Sequence, residues 1–239
     1  MSDDLTVIRD SAFRSCGALE TVDFSANLTE VGPFAFYKCQ ALTAADLGEK
    51  ILTIGNSAFF ECGAMTELNL GQALIGIDTL AFSGCEGLTE VTMPDTVTGL
   101  GTDVFSYCTS LTTVKLSEGL ISLPTNTFES CHALTTVNLP EYLTTIGGRA
   151  FIDCYAPESL KLPFGLIGIG DYAFSGCANL TDITLPLTLS YVGYFAFNNC
   201  TGLGNLEFPP QPDLLHRRLL QRLHRPDRAG LPHGHHLCR

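Results

Sequence analysis

One identity repeated at a fixed step constrains this chain more than any other feature. Cys16, Cys39, Cys62, Cys85, Cys108, Cys131, Cys154, Cys177 and Cys200 follow one another at intervals of 23 residues, with no insertion or deletion among the nine. Phe13, Phe36, Phe59, Phe82, Phe105, Phe128, Phe151, Phe174 and Phe197 keep the same step. Self-similarity at a fixed period is the signature of a solenoid. Chain length then sets the number of coils rather than the number of domains. The array fills residues 1–208, and residues 209–239 fall off the grid.

Within a coil the periodicity changes. Leu19, Val22 and Phe24, recurring as far as Leu180, Ile183 and Leu185, end in the apolar, polar, apolar alternation of a short half-buried strand. Stacked in register, such strands make a parallel sheet. A second apolar pair follows, Leu143 and Ile146 or Leu166 and Ile169, commonly with glycine after it, which reads as another extended piece and a tight corner. Next, Ala173, Phe174, Cys177 and Leu180 fall at i, i+1, i+4 and i+7, the spacing that gathers side chains on one side of a short helix or helical turn. Asp10, Asn56, Thr79, Thr102 and Asp171 stand where they would accept hydrogen bonds from its first amides. The expected fold is an α/β solenoid of about nine coils. One face carries a parallel β-sheet and the other short strands and helical turns, right-handed by the general preference of parallel crossovers.

A single coil cannot fold alone. Eight inward side chains in one coil, Leu28, Val31, Ala35, Phe36, Cys39, Leu42, Ala45 and Leu47, contribute on the order of 12 to 24 kcal/mol if fully buried. Ordering 23 residues costs on the order of 23 to 46 kcal/mol in backbone entropy. Neighbouring coils must complete the burial, so stability is cooperative along the stack.

The pattern resembles the bacterial-surface-antigen (BspA-like) class of leucine-rich repeats. It is clearest in LTTIGGRAFIDC from Leu143 to Cys154 and in IGDYAFSGCANLTDITLP from Ile169 to Pro186, and it runs from about Leu5 to Pro209. The commoner leucine-rich class carries an Asn or Cys ladder after the strand, whereas that slot here reads Asn27, Lys50, Ala73, Thr96, Gly119, Tyr142, Gly165 and Thr188. The resemblance implies a curved solenoid used for adhesion or protein binding on secreted or cell-surface proteins, and it brings no catalytic residues. Departures include Met65 and Pro157 in the leucine slot, Val104 and Thr127 in the alanine slot, and Asp78 and Pro124 in the glycine slot. Pro157 lacks an amide donor just before a strand, so the Cys154 to Ser159 corner is expected to be irregular.

Nine cysteines at one structural position do not read as the paired, irregular framework of a small secreted domain. Stacking brings neighbours to about 5 Å, which leaves disulfides or a metal open by distance. Parallel side chains pointing the same way favour a buried column of free thiols acting as small hydrophobes. Residues 1–208 hold 23 acidic against seven basic side chains, a net −16, while residues 209–239 hold two against six, a net +4. An acidic array does not suit nucleic acid or anionic lipid, which need clustered Lys and Arg. A basic protein or a cation suits it better.

The opening MSDDLTVIRD is acidic and lacks the apolar segment of a secretion signal, and no run approaches the length of a membrane helix. Direct membrane insertion is therefore not expected, and a cell-surface or extracellular location rests on the resemblance alone. Leu5 and Ile8 already occupy repeat slots. The array thus starts without the atypical capping repeat solenoids use, which suggests a fragment.

The candidate binding residues lie on the outward columns of the main sheet: Asp23, Asp46, Glu67, Asn69, Glu90, Thr92, Lys115, Asn138, Lys161, Asp182 and Thr184. A threonine column, Thr43, Thr66, Thr89, Thr112 and Thr135, runs before them. One reading is a concave docking face, acidic towards both ends, for a partner protein, such as a basic protein or host surface component, or for a glycan. The other is a solvated sheet with threonines present for strand propensity. The face has no aromatics, which argues against tight sugar binding. Tyr172, Tyr191, Tyr194 and Phe195, and separately Phe34, Tyr37 and Phe60, form either contact patches or corner packing between coils.

Catalysis finds no foothold. His132 is the only histidine of the array and follows Cys131, but a Cys-His pair needs a third orienting group and a pocket. No cofactor is expected. Three Asn-x-Thr matches, at Asn27, Asn179 and Asn199, arise readily by chance in repeats rich in both residues.

In the tail, His233, His235, His236 and Cys238 look like metal ligands. A second reading explains more. With permitted codons read one nucleotide later, residues 211 onward spell SLTCYIGDFCSACTGLTGLAFPTGIT, which returns Cys, Leu, Leu, Phe, Pro and Ile to the grid at positions 223, 226, 229, 231, 232 and 235. The tail is then a frame-shifted continuation of the array, expected to be disordered. The functional expectation is a monomeric, non-catalytic binding or adhesion array, against the alternative of a structural spacer or gene fragment.

Overall fold

A coil carries at most two very short extended pieces, because its inward slots permit only one or two buried side chains before the chain must turn. The computed structural model describes residues 4–208, all within one compact unit, Met1–Pro209. The tail readings, metal ligands and frame shift alike, fall outside the described residues.

The first strand series is β3 (Ala44–Asp46), β5 (Glu67–Asn69), β7 (Glu90–Thr92), β9 (Thr113–Lys115), β11 (Thr136–Asn138), β13 (Ser159–Leu160) and β15 (Asp182–Ile183). The second is β1 (Val7–Ile8), β2 (Glu30–Val31), β4 (Thr53–Ile54), β6 (Gly76–Ile77), β8 (Gly99–Leu100), β10 (Ser122–Leu123), β12 (Thr145–Ile146), β14 (Gly168–Ile169) and β16 (Tyr191–Val192). All pairing is parallel and in strict repeat register, for example Ala45 with Leu68 and Ile146 with Ile169. Equivalent slots therefore sit directly beside one another, and every sequence column becomes a column in space. The solenoid closes about eight turns, rather than the nine expected from the copy number.

The Ala-Phe segment is not helical, and no helix occurs among the described residues, so the expected α/β description gives way to stacked β coils and turns. Amides three residues on bond back within the segment, as Cys16 N–H does to Phe13 O at 3.1 Å. Alternate residues instead reach the next coil: Phe13 to Ala35, Phe36 to Ala58, Phe105 to Thr127 and Phe174 to Ala196. The residues flanking each Phe take left-handed backbone angles, such as Ser57 at φ 52° and Glu61 at φ 53°. Only Gly84 and Gly176 in these slots are glycine, although each non-glycine residue there costs roughly 1–2 kcal/mol. With no helix there are no N-caps. Asp171, expected to cap, accepts the amide of Tyr194 in the next coil at 2.7 Å.

Among the described residues this turn ladder crosses eight coil junctions, with three amides each time, as Ser11, Phe13 and Ser15 bonding Pro33, Ala35 and Tyr37. Both strand ladders are interrupted. The second series breaks between β8 and β10, where Pro124 stands in the slot whose amide otherwise bonds the previous coil, as Gly101 N–H does to Ile77 O and Gly147 N–H to Leu123 O. A proline has no such donor. The first series breaks between β5 and β7 and between β11 and β13. At the latter, Pro157 replaces the residue whose amide elsewhere bonds the cysteine carbonyl, as Leu134 does Cys131 at 3.1 Å. The irregular corner expected at Pro157 is thus present. A small apolar gap lined by Leu134, Val137, Phe151, Pro157, Leu160 and Leu180 opens beside it. Pro124 removes a bond between coils, whereas the bond missing at Pro157 lies within its own coil.

The core is the stack of columns itself. Rings from Phe13 to Phe197 stack face to face with centroids 5.0 to 5.9 Å apart. All nine array cysteines are free thiols, and Cys39 to Cys200 are buried while Cys16 is exposed. Each buried thiol donates to the Phe carbonyl of the preceding coil, from Cys39 to Phe13 at 3.1 Å through Cys200 to Phe174 at 3.0 Å. The column therefore links coils as well as filling space.

Candidate functional site

Outward slots of the first strand series place the predicted binding residues. Asp23, Asp46, Glu67, Asn69, Glu90, Thr92, Lys115, Asn138, Lys161, Asp182 and Thr184 are all exposed. Register pairs Asp46 with Asn69, Thr92 with Lys115, and Asn138 with Lys115, and Asn69 Nδ2 donates to Asp46 Oδ1 at 2.9 Å. The two sheet breaks divide them. Asp46, Glu67 and Asn69 share one ladder, Glu90, Thr92, Lys115 and Asn138 a second, and Asp182 a third, while Asp23, Lys161 and Thr184 lie outside the strands.

The adjoining threonine column has a structural role that strand propensity did not reveal. Thr43, Thr66, Thr112 and Thr135 turn their hydroxyls onto backbone carbonyls of the preceding coil, at 2.9 to 3.4 Å. Those hydroxyls brace the stack.

The aromatic groups separate into two kinds. Tyr37 stacks on Phe60 at 5.0 Å and meets Phe34 edge-on at 5.7 Å, all three half-buried, with Arg14 over both Phe34 and Tyr37. Tyr172 and Phe195 also stack, at 5.1 Å. Tyr191, Tyr194 and Phe195 remain about half exposed, and the Tyr191 hydroxyl reaches Asp171 Oδ1 at 3.2 Å.

The Cys-His neighbours do not meet as a reactive pair. The Cys131 thiol points inward onto Phe105 O at 3.1 Å, and burial raises its pKa well above the ordinary value. His132 instead stacks on Tyr155 at 4.8 Å on the exposed side. Among the described residues, no three His, Cys, Asp or Glu side chains gather to hold a metal.

One surface feature escaped the sequence reading. The β-turn linking the two strand series has tip residues Glu49, Gln72, Asp95, Glu118 and Glu141 in five successive coils, then Phe164 and Leu187 in the next two. Phe164 is 83% and Leu187 78% exposed. The column is visible in the sequence, but glycine and proline mark these turns without showing which side chain stands at the tip.

Comparison with known proteins places these features. The profile of the family described as "BspA type Leucine rich repeat region" matches residues 1–112 and 98–221, in six copies. A leucine rich cell surface protein from Faecalibacterium prausnitzii is similar at 28% identity and TM-score 0.62, over 86% of this chain and 65% of that one. A leucine-rich repeat protein of T. pallidum is similar at 29% identity and TM-score 0.54, over 83% of this chain and 78% of that one. One from Eubacterium ventriosum shares the fold at 19% identity and TM-score 0.66, over 87% of this chain and 60% of that one. This chain thus spans less than two thirds of the first and third of these proteins. No curated protein matches it.

Proposed function

The chain belongs to the BspA-type leucine-rich repeat family, and on that premise we propose that it is a surface-displayed, non-catalytic array that binds a protein partner through the outward face of its first strand series. The observation that carries this reading is the contrast between two adjacent columns. The threonine hydroxyls are committed to the backbone, whereas the next outward columns present Glu67, Glu90, Lys115 and Asp182 to solvent. Acids towards both ends with Lys115 and Lys161 between them suit a partner of mainly basic character, such as a host surface component, with charge governing encounter rate and specificity. Adhesion is the biological form this binding takes, and the array acts as a monomer.

The test is a pull-down from surface extracts with the full chain and with a variant carrying Asp23→Ser, Asp46→Ser, Glu67→Ser, Glu90→Ser and Asp182→Ser. A specific protein retained by the first and lost by the second supports the reading. A protein retained equally by both removes this face from the account, and no specific protein with either leaves the array a spacer.

A further inference from the structure

The corner between the two strand series carries a stripe that folding does not explain. From the Asp95 tip onward the carbonyl of the residue before the tip accepts the amide three residues on, as Pro140 does from Leu143 at 3.2 Å, Pro163 from Leu166 at 3.1 Å and Pro186 from Leu189 at 3.0 Å. The tip side chains take no part in these bonds, and polar or small residues normally stand at such positions. In the earlier coils they do, and some assist the stack: Glu49 accepts the amide of Gln72 at 3.1 Å and Glu118 that of Glu141 at 3.1 Å. In the last coils the tips become Phe164 and Leu187, 83% and 78% exposed, and Tyr142, 69% exposed, stands beside the Glu141 tip. Ile167 and Tyr191 lie close by in the chain and are about half exposed. Exposed apolar side chains gathered at one corner of successive coils mark interaction sites.

We propose that this corner is a second docking site, independent of the sheet face, for a partner polypeptide segment with basic side chains at one end and apolar ones at the other. Coil spacing of about 5 Å lays the tips out as a line along the solenoid axis. The segment's basic end lies over Asp95, Glu118 and Glu141, and its apolar end over Tyr142, Phe164 and Leu187. Charge complementarity selects this occupant. A second copy would bring another array of net charge −16 against the first, and a purely apolar ligand would leave the acidic half uncovered.

The probe is a fluorescent synthetic peptide with a lysine-rich half and a leucine-rich half, titrated against the full chain by anisotropy. Both tip residues are exposed, so the F164S/L187S variant should keep the native circular dichroism spectrum. It should bind the peptide at least about tenfold more weakly. The E118Q/E141Q variant should lose affinity at low salt and show a flatter salt dependence, and a peptide with serine in place of leucine should bind the unaltered protein as weakly as the intact peptide binds F164S/L187S. Equal affinity for wild type and both variants would overturn the proposal. So would a wild-type dimer in sedimentation velocity that F164S/L187S makes monomeric, since a second copy would then occupy the corner. Faster tryptic cleavage within residues 209–239 in that variant would overturn it too, by assigning the corner to the chain's own segment. The sheet-face variant should bind the peptide normally, so this inference and the sheet-face reading can fail separately.

Discussion

The carbonyl oxygen of Phe105 accepts the thiol of Cys131 in the next coil at 3.1 Å, and also the amide of Cys108 in its own coil at 3.3 Å. One backbone atom thus closes a turn and ties two coils together, and the arrangement recurs along the column. Alanine would fill most of the space but would leave the second bond unmade. Cys131→Ala should therefore lower stability by about 1–2 kcal/mol, combining the lost hydrogen bond with the small cavity. Cys16→Ala, at an exposed thiol, should change it by less than about 0.5 kcal/mol. Urea unfolding midpoints of the two variants check this.

The same column makes stability fall at alkaline pH. Burial pushes the Cys200 thiol up to about 11 and raises Cys39, Cys85, Cys108, Cys131 and Cys154 as well. The unfolded chain releases these protons near the ordinary thiol value of about 8.5, while the folded chain holds them. Stability from this source is thus fully present below about pH 8.5 and is lost as pH rises through the folded values. Each retained proton contributes about 1.4 kcal/mol per pH unit in that window. Urea midpoints measured under reductant should drop steeply from pH 8 to 10, and less steeply in Cys131→Ala. A flat profile would contradict the buried column.

Left-handed backbone at non-glycine residues is a local cost the stack overcomes. Ser130 sits at φ 59° in the slot that Gly84 and Gly176 fill elsewhere. Ser130→Gly should raise stability by a few tenths to about 1 kcal/mol, relief of backbone strain being partly offset by entropy of the unfolded chain. Ser130→Val, β-branched at positive φ, should lower it by more than about 1 kcal/mol. Thermal midpoints of the two variants should move in opposite directions.

Pro157 weakens the corner of its own coil by lacking an amide. Pro157→Leu would restore the bond to the Cys154 carbonyl that every other coil makes, as Leu180 does to Cys177 at 3.2 Å. It would also fill the gap against Leu134, Leu160 and Leu180. Stability should rise by about 1 kcal/mol or more, read as a higher urea midpoint. A fall would mean that the gap does not accept leucine.

The sequence revealed what a strict period can reveal. Every inward column, the Phe and Cys identities, both extended pieces and the defect at Pro157 were legible because equivalent residues must occupy equivalent places. The Ala-Phe segment was misread because the spacing of Ala173, Phe174, Cys177 and Leu180 fits a helical turn as well as a chain of tight turns with alternating left-handed residues. Ser, Asn, Asp and Gly do recur in the left-handed slots, but Lys38, Tyr107 and Phe34 stand there too, and stacking overrides their local preference. The direction of a Thr43 hydroxyl or a Cys131 thiol depends on which carbonyl the next coil presents, and composition does not encode that. The exposed tips Phe164 and Leu187 were visible only once the turn between the two strand series had a defined shape.

The turn ladder, and not either sheet, is the unbroken link through the described coils. Native-state amide hydrogen exchange tests it most directly at the two proline junctions. Phe105 N–H bonds Thr127 O at 3.0 Å across the Pro124 break, and Phe128 N–H bonds Ala150 O at 2.9 Å across the Pro157 break. The amides of Ile121 and Glu158, at the same junctions, have no partner in a neighbouring coil among the described residues. Phe105 and Phe128 should exchange only on global unfolding, and Ile121 and Glu158 orders of magnitude faster. If all four exchanged at similar fast rates, the coils would not be joined through the turns and the account would fail.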